Sequence, residues 1–239
     1  MKRILITGAT SGIGKALALL CAAKGYTVIA CGRNQIILDE LAENANIETL
    51  KFDVADLVQV TDALQNLQAD IVVLNAGVCE YVDVKDFDAS MFERVFSANF
   101  FGVVNCVSAL LKNMRSGSQI VIVDSLARLL PFTQSQAYGA SKAALHNFTK
   151  SMQVDLTDSG IIVQSASPGF VETPLTDKND FEMPMKISVD QAVEKLLVGI
   201  EKQHRSIYFP KGFSLILGLL SILPNWLKVS ISQKFKHNQ

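Results

Sequence analysis

Along most of the chain, short β-branched runs alternate with longer stretches whose apolar residues recur at helical spacing. The runs at 3–7, 27–31, 47–52, 70–74, 119–123, 161–166 and 206–209 read as strands. The stretches at 13–24, 35–44, 57–67, 89–114, 136–158 and 189–202 read as helices. Strand runs such as Ile71-Val72-Val73-Leu74 are apolar on both faces, as strands covered by helices on both sides must be. Seven strands alternating with six helices predict an α/β fold on one doubly wound parallel sheet. No Pro-, Gly- or Ser-rich linker and no internal repeat interrupts the pattern, so a single domain is expected.

Composition narrows the class without changing that picture. With 239 residues, 49% of them apolar and 19% charged, the chain can bury a full core without metals or disulfides. Wholesale disorder is excluded. Lys and Arg total 22 against 23 Asp and Glu, so no global field exists to hold a polyanion and nucleic acid is not expected as a partner. Cys21, Cys31, Cys79 and Cys106 are scattered, with no CxxC pair, so no metal site is expected. Ile4-Leu5-Ile6 ahead of polar Thr7 is too short for a secretory signal, and reduced thiols in a cytoplasmic protein follow.

The first strand runs into TGATSGIG at residues 7–14, which opens the first helix. Glycines let the backbone turn sharply and approach a ligand closely. A helix N-terminus offers free N–H groups and a positive dipole end to a pyrophosphate. Placement at the start of a βαβ unit favours this over a plain tight turn. Farther on, Tyr138 and Lys142 are four apart and share a helix face. A free tyrosine, with a pKa near 10, is a poor acid–base group at neutral pH. A neighbouring ammonium favours the phenolate, so Lys142 is expected to lower the pKa of Tyr138. Ser125 ends the fifth strand, where open parallel sheets bind ligands, and its hydroxyl can donate to a carbonyl oxygen. Asn99 is polar within a long apolar helix and needs partners there, unless it kinks the helix and is satisfied by backbone.

In order along the chain, TGATSGIG, Leu74-Asn75-Ala76-Gly77, Asn99, Ser125, Tyr138-Gly139-Ala140-Ser141-Lys142 and Pro168-Gly169-Phe170-Val171-Glu172-Thr173 resemble the motifs of the short-chain dehydrogenase/reductase family. The resemblance reaches to about Pro210 and implies a single-domain Rossmann-like fold. It implies hydride transfer between a nicotinamide dinucleotide and a small carbonyl or alcohol substrate. Carried onto this sequence, it places Gly8, Thr10, Ser11, Gly12, Ile13 and Gly14 around the cofactor, with Asp53 and Val54 at the adenine. Asn75, Ala76 and Gly77 would pass close to it, Pro168, Gly169 and Val171 would lie at the nicotinamide, and Thr173 at its carboxamide. Ser125 would hold the carbonyl oxygen and Tyr138 protonate it. Lys142 would bind the ribose and tune Tyr138, and Asn99 would anchor a water linking Lys142 to solvent. The other reading is a dinucleotide-binding sensor with little turnover, against which the intact Ser125, Tyr138 and Lys142 speak. Family members usually pair through the two long helices, here 89–114 and 136–158, so a homodimer is expected. Residues 208–212 lack the Gly-Gly loop that helps many members form tetramers.

At the end of the second strand an NAD enzyme carries an acid that accepts from the ribose 2′-OH. Gly32 stands there, followed by Arg33, whose planar fork can pair with a 2′-phosphate. NADP(H) is therefore expected over NAD(H), with NAD still admissible because Ser11, not a second cation, precedes Gly12. Leu126, Leu129, Leu130 and Phe170, with Phe181, Met183 and Met185 in a loop at 174–187, predict an apolar pocket and a lipophilic substrate. Arg128 either meets an anionic group or is a solvated loop residue.

Beyond residue 210 the pattern changes. Residues 213–223 are almost wholly apolar and end at Pro224, followed by Trp226, Lys228, Lys234 and Lys236. The run is shorter than the roughly 20 residues of a membrane span. Two readings are open for the extension 211–239. One is a helix over the substrate cleft or in a subunit interface, which the scarcity of polar face supports. The other is an interfacial helix whose residues 213–227 touch a membrane surface.

Overall fold

Seven strands make one parallel sheet in the computed structural model, which describes residues 2–177 and 183–237, the last three by backbone alone. They are β1 (Arg3–Thr7), β2 (Thr27–Gly32), β3 (Ile47–Lys51), β4 (Ile71–Leu74), β5 (Gln119–Val123), β6 (Ile162–Pro168) and β7 (Ser206–Phe209). Their order is β3-β2-β1-β4-β5-β6-β7, so the chain reverses its direction of winding between β1 and β4. In such sheets the crevice at the carboxyl ends of the strands beside that switch receives the ligand.

The helices are α1 (Gly12–Ala23), α2 (Gln35–Ala42), α3 (Leu57–Leu64), α4 (Ala89–Phe96), α5 (Gly102–Leu110), α6 (Gln136–Asp155), α7 (Val189–Glu201), α8 (Lys211–Ser221) and α9 (Asn225–His237). Strand alternation divides the core cleanly. Ile4 and Ile6 of β1 pack with α1, α2 and α7, whereas Leu5 packs with α3, α5 and α6 on the other face. All three side chains are fully buried, and such burial contributes about 1.5–3 kcal/mol each.

Three differences from the sequence pattern have physical causes. The single helix expected over 89–114 is interrupted by a π-helical segment, Ser97–Phe101, and closes with a tight turn, Leu111–Asn113. This widened turn carries Asn99 inward. The run Ala89–Asn113 is long and apolar enough to cross a bilayer, but here its inner face packs on the sheet. Helices α3 and α6 end at Leu64 and Asp155, short of 67 and 158, because their ends tighten into turns such as Leu67 N–H to Leu64 O and Thr157 N–H to Val154 O. The apolar tail forms two helices, α8 and α9, broken at Pro224. Phe213 and Leu217 of α8 pack onto Leu126, Leu130 and Phe170, with the Phe170 and Phe213 rings 5.5 Å apart.

Candidate active site

The turn after β1 is built by sterics as much as by sequence. Gly8 and Gly12 sit in the left-handed region, at φ +67° and +49°. A Cβ on Gly8 would lie 2.8 Å from Ala76 Cα, and one on Gly14 would collide with the Gly8 carbonyl oxygen. The glycine turn therefore interlocks with the segment after β4. Thr7 Oγ1 fastens the two, accepting from the backbone N–H groups of Asn75 (3.0 Å) and Ala76 (3.1 Å). The Asn75 amide donates back to Thr7 O at 3.1 Å, so Asn75 holds the turn's shape in addition to lining the cleft.

Two clefts run along the strand ends and share Gly77. The first, about 570 Å³, is lined by Gly8, Thr10, Ser11, Arg33, Asp53, Val54 and Ala76. The second, about 530 Å³, is lined by Ile13, Asn75, Ser125, Tyr138, Lys142, Pro168, Gly169, Val171 and Thr173. Of the expected site residues, Gly12, Gly14 and Asn99 line neither; the two glycines shape the turn, and Asn99 lies behind. Asp53 borders the cleft and does not cap α3; Asp56 does that, accepting from Val58 and Gln59 N–H. Val54 packs where Gly102 leaves room, since a Cβ there would lie 2.7 Å from Val54 Cγ2. Gly32 likewise leaves no space for a side chain: its Cβ would fall 2.6 Å from Thr10 Cγ2. Arg33 reaches across the cleft to Asp53, Nη1 to Oδ2 3.1 Å, and is itself 69% exposed. A glycine cradle under a helix N-terminus, opening into a crevice of this length, fits a nicotinamide dinucleotide. Arg33 and Asp53 would border its adenosine, and Lys142 and Thr173 its nicotinamide half.

Ser125, Tyr138 and Lys142 converge where the second cleft meets a third. Ser125 Oγ accepts from Ala127 N–H at 3.1 Å and hydrogen-bonds the Tyr138 phenol. Lys142 Nζ donates to Val123 O at 2.9 Å and stands 5.8 Å from the Tyr138 ring centroid. Asn99 is fully buried. Its Oδ1 accepts from Val78 N–H at 2.7 Å, and its Nδ2 donates to Val78 O and Ser141 Oγ, both at 3.0 Å. Asn99 thus braces the chain after β4 against the helix that carries Tyr138.

The expected lowering of the Tyr138 pKa is not what the site produces. Burial dominates and pushes the phenol above its ordinary value, with the Ser125 hydrogen bond acting weakly the other way. Tyr138 is therefore held protonated, in the form that could donate a proton. The cost of burial falls on Lys142 as well, whose ammonium is pulled down to about 8 despite the Asp124 carboxylate nearby. Lys142 is mostly charged below that pH and mostly neutral above it, and its charge would stabilise a phenolate at Tyr138 were that proton given up. We expect kcat/KM for carbonyl reduction to be flat below pH 8 and to fall about tenfold per unit above it. A pH–rate profile flat to about pH 10 would contradict this assignment.

Sequence reasoning missed one cluster. Asp124, beside Ser125, is buried, with Oδ2 2.5 Å from His146 Nδ1 and 3.4 Å from Arg128 Nε. Arg128 is therefore not a solvated loop residue: its side chain is 10% exposed and paired with Asp124. A signal was available, because His146 follows Lys142 by four on α6 and so shares its face.

The third cleft, about 880 Å³, is walled by Leu126, Phe132, Phe170, Leu175, Phe213 and Leu217, with Ser125 and Tyr138 at its base. Leu126 and Phe170 stand where expected, but Leu129 and Leu130 pack beneath α8 instead of facing the cleft. Met183 and Met185 do not line it, and Phe181 lies outside the described residues. The loop that carries them is closed at its base by a bridge between Val171 and Ile187. Gly169 admits α8 to this wall, since a Cβ there would lie 2.8 Å from Phe213 Cδ1.

Residues 2–183 match the short chain dehydrogenase family. An uncharacterized oxidoreductase of Myxococcus xanthus is 34% identical over 233 residues, covering 92% of each chain. The NADPH-dependent 1-acyldihydroxyacetone phosphate reductase of Schizosaccharomyces pombe is 31% identical over 217 residues, 87% of this chain and 68% of that one. Among solved structures, a short-chain dehydrogenase from Sphingobium yanoikuyae in complex with NADPH superposes with a TM-score of 0.81 at 25% identity, covering 94% and 97% of the two chains. The chain belongs to the short-chain dehydrogenase/reductase family. It is an oxidoreductase of alcohol and carbonyl groups, served by a nicotinamide cofactor.

Proposed function

We propose that the protein is an NADPH-preferring reductase of lipophilic ketones, aldehydes or related carbonyl compounds. The observation that carries the reading is the meeting of an apolar cleft with the cofactor crevice at Ser125 and Tyr138. A bound NADPH supplies the hydride to the carbonyl carbon. Ser125 donates a hydrogen bond to the carbonyl oxygen and aligns it, and Tyr138 transfers its phenolic proton to that oxygen as the alcohol forms. Lys142 would hold the ribose hydroxyls and stabilise the resulting phenolate. Phe132, Phe170 and Phe213 exclude water from the reacting carbonyl. The names of the fission yeast relative and of the NADPH complex agree with this cofactor, and the former with an acyl-bearing substrate.

The cofactor preference rests on Gly32 and Arg33. Gly32 supplies no acid to accept from a ribose 2′-OH or to repel a 2′-phosphate, and a side chain there would press on Thr10. The Arg33–Asp53 pair is solvent-exposed and worth about 0–1 kcal/mol, so a 2′-phosphate competes for the guanidinium readily. Titration of the protein with NADPH and NADH, followed by nicotinamide fluorescence, should give NADPH the tighter binding. Arg33→Ala should cut that preference by about 10- to 100-fold, mostly through weaker NADPH binding. An unchanged affinity ratio in the variant would remove Arg33 from the assignment. The reading includes a homodimer through the faces of α4–α5 and α6, where Phe101 and Val154 are exposed.

A further inference from the structure

The outer face of α8, continued by Trp226 and Val229 of α9, is apolar and has no cover among the described residues. Phe213 and Leu217 turn inward and are buried. Leu215, Leu219 and Ile222 follow one another at helical spacing on the outside, 65%, 60% and 80% exposed. Beyond Pro224, Trp226 is 72% exposed. Soluble proteins scatter exposed apolar residues singly, whereas a run of them sharing a face marks a surface with a partner. Charge says which partner. No Asp or Glu follows Glu201, while α8 and α9 carry Lys211, Lys228 and Lys234.

We propose that α8 and α9 seat the protein on an anionic lipid surface, lying in the plane of the interface. Helix α8, with 11 residues, is roughly 16 Å long and cannot span a hydrocarbon core of about 30 Å. Its outer leucines enter the acyl boundary, Trp226 takes the headgroup level, and the exposed Lys211 and Lys234 face anionic headgroups, Lys228 donating instead to Ser221 O. A second copy of the chain is the poorer occupant. Two-fold pairing of this face would set lysines against lysines, with no carboxylate on either helix to offset them. The inner side of α8 walls the apolar cleft through Phe213 and Leu217, so a lipophilic substrate would pass from bilayer to cleft along one helix. That last step rests on the proposed substrate class; the docking does not.

Trp226 is the single tryptophan of the chain, so intrinsic fluorescence reads this face alone. The full-length protein is mixed with vesicles of phosphatidylcholine, with or without phosphatidylglycerol, at low and high salt. Expected are a blue shift of the tryptophan emission and flotation with the phosphatidylglycerol vesicles, both weakened by salt and by leaving out the anionic lipid. The double variant Leu219→Asp, Ile222→Asp should lower partitioning more than about tenfold while NADPH affinity stays unchanged, both side chains being exposed. Absence of shift and flotation with phosphatidylglycerol vesicles would overturn the proposal. So would a lipid-independent blue shift that grows with protein concentration and is lost in the double variant, which assigns the face to a second copy.

Discussion

Tyr138→Phe is expected to leave NADPH affinity within about twofold of the parent and to lower the rate of carbonyl reduction by about three orders of magnitude. The substitution removes one oxygen and keeps the ring that lines the cleft between Ser125 and Lys142. The groups proposed to hold the cofactor, the glycine turn, Arg33 and Lys142, are untouched, so binding should persist. The reaction loses its proton donor, and a water cannot replace it easily in a cleft walled by Phe132, Phe170 and Phe213. Single-turnover mixing with NADPH, read by loss of nicotinamide absorbance, separates the two effects. Turnover surviving within tenfold would mean that another group gives the proton. Ser125→Ala should behave more mildly, by about 10²-fold, because it removes alignment of the carbonyl oxygen and leaves the proton source in place.

That prediction leans on residues the sequence displays openly, and the reason is local. Gly8, Gly12 and Gly14 are required by backbone geometry, and the TGATSGIG spacing advertises it. Tyr138 and Lys142 lie one helical turn apart, so their juxtaposition needs no knowledge of the rest of the fold. The seven strands are legible for a similar reason: each is a short run set off by helical stretches, central ones such as β4 being apolar on both faces, and all seven form. Their order is not legible, since it depends on which helix covers which face.

What stayed hidden depends on long-range packing. The π-helical turn that carries Asn99 inward has no sequence signature, because it is stabilised by Val78 and Ser141, 21 and 42 residues away. The upward displacement of the Tyr138 pKa follows from how deeply the fold buries the phenol, which the Tyr–Lys spacing does not encode. Arg128 reads as a loop cation only until the chain folds Asp124 and His146 against it. The tail shows the same division. Its apolar character is plain from composition, but only the structure separates Phe213 and Leu217, which wall the cleft, from Leu215 and Leu219, which face outward.

The cluster that the sequence concealed carries the largest expected effect on stability. Asp124→Ala should destabilise the protein by about 3 kcal/mol, with Asp124→Asn costing less. The carboxylate is fully buried and bonded to His146 at 2.5 Å, with Arg128 at 3.4 Å and only 10% exposed. Removing it leaves a guanidinium and an imidazole without their acceptor where water reaches poorly, and that unpaired charge costs more than the pair itself contributes. Asparagine keeps an acceptor oxygen for the imidazole N–H and loses only the charge, which explains the expected ranking. Urea denaturation should show the midpoint lowered by about 1 M for the alanine variant. Adding Arg128→Met to Asp124→Ala should recover part of the loss, because the orphaned charge is then gone. Catalysis should suffer too, since Asp124 lies between Val123, whose carbonyl accepts from Lys142, and Ser125. A loosened strand end moves both partners of Tyr138 at once. If Asp124→Ala matches the parent within about 0.5 kcal/mol, the cluster is incidental to the site. A double variant no more stable than the single would place the loss in cavity formation and not in charge.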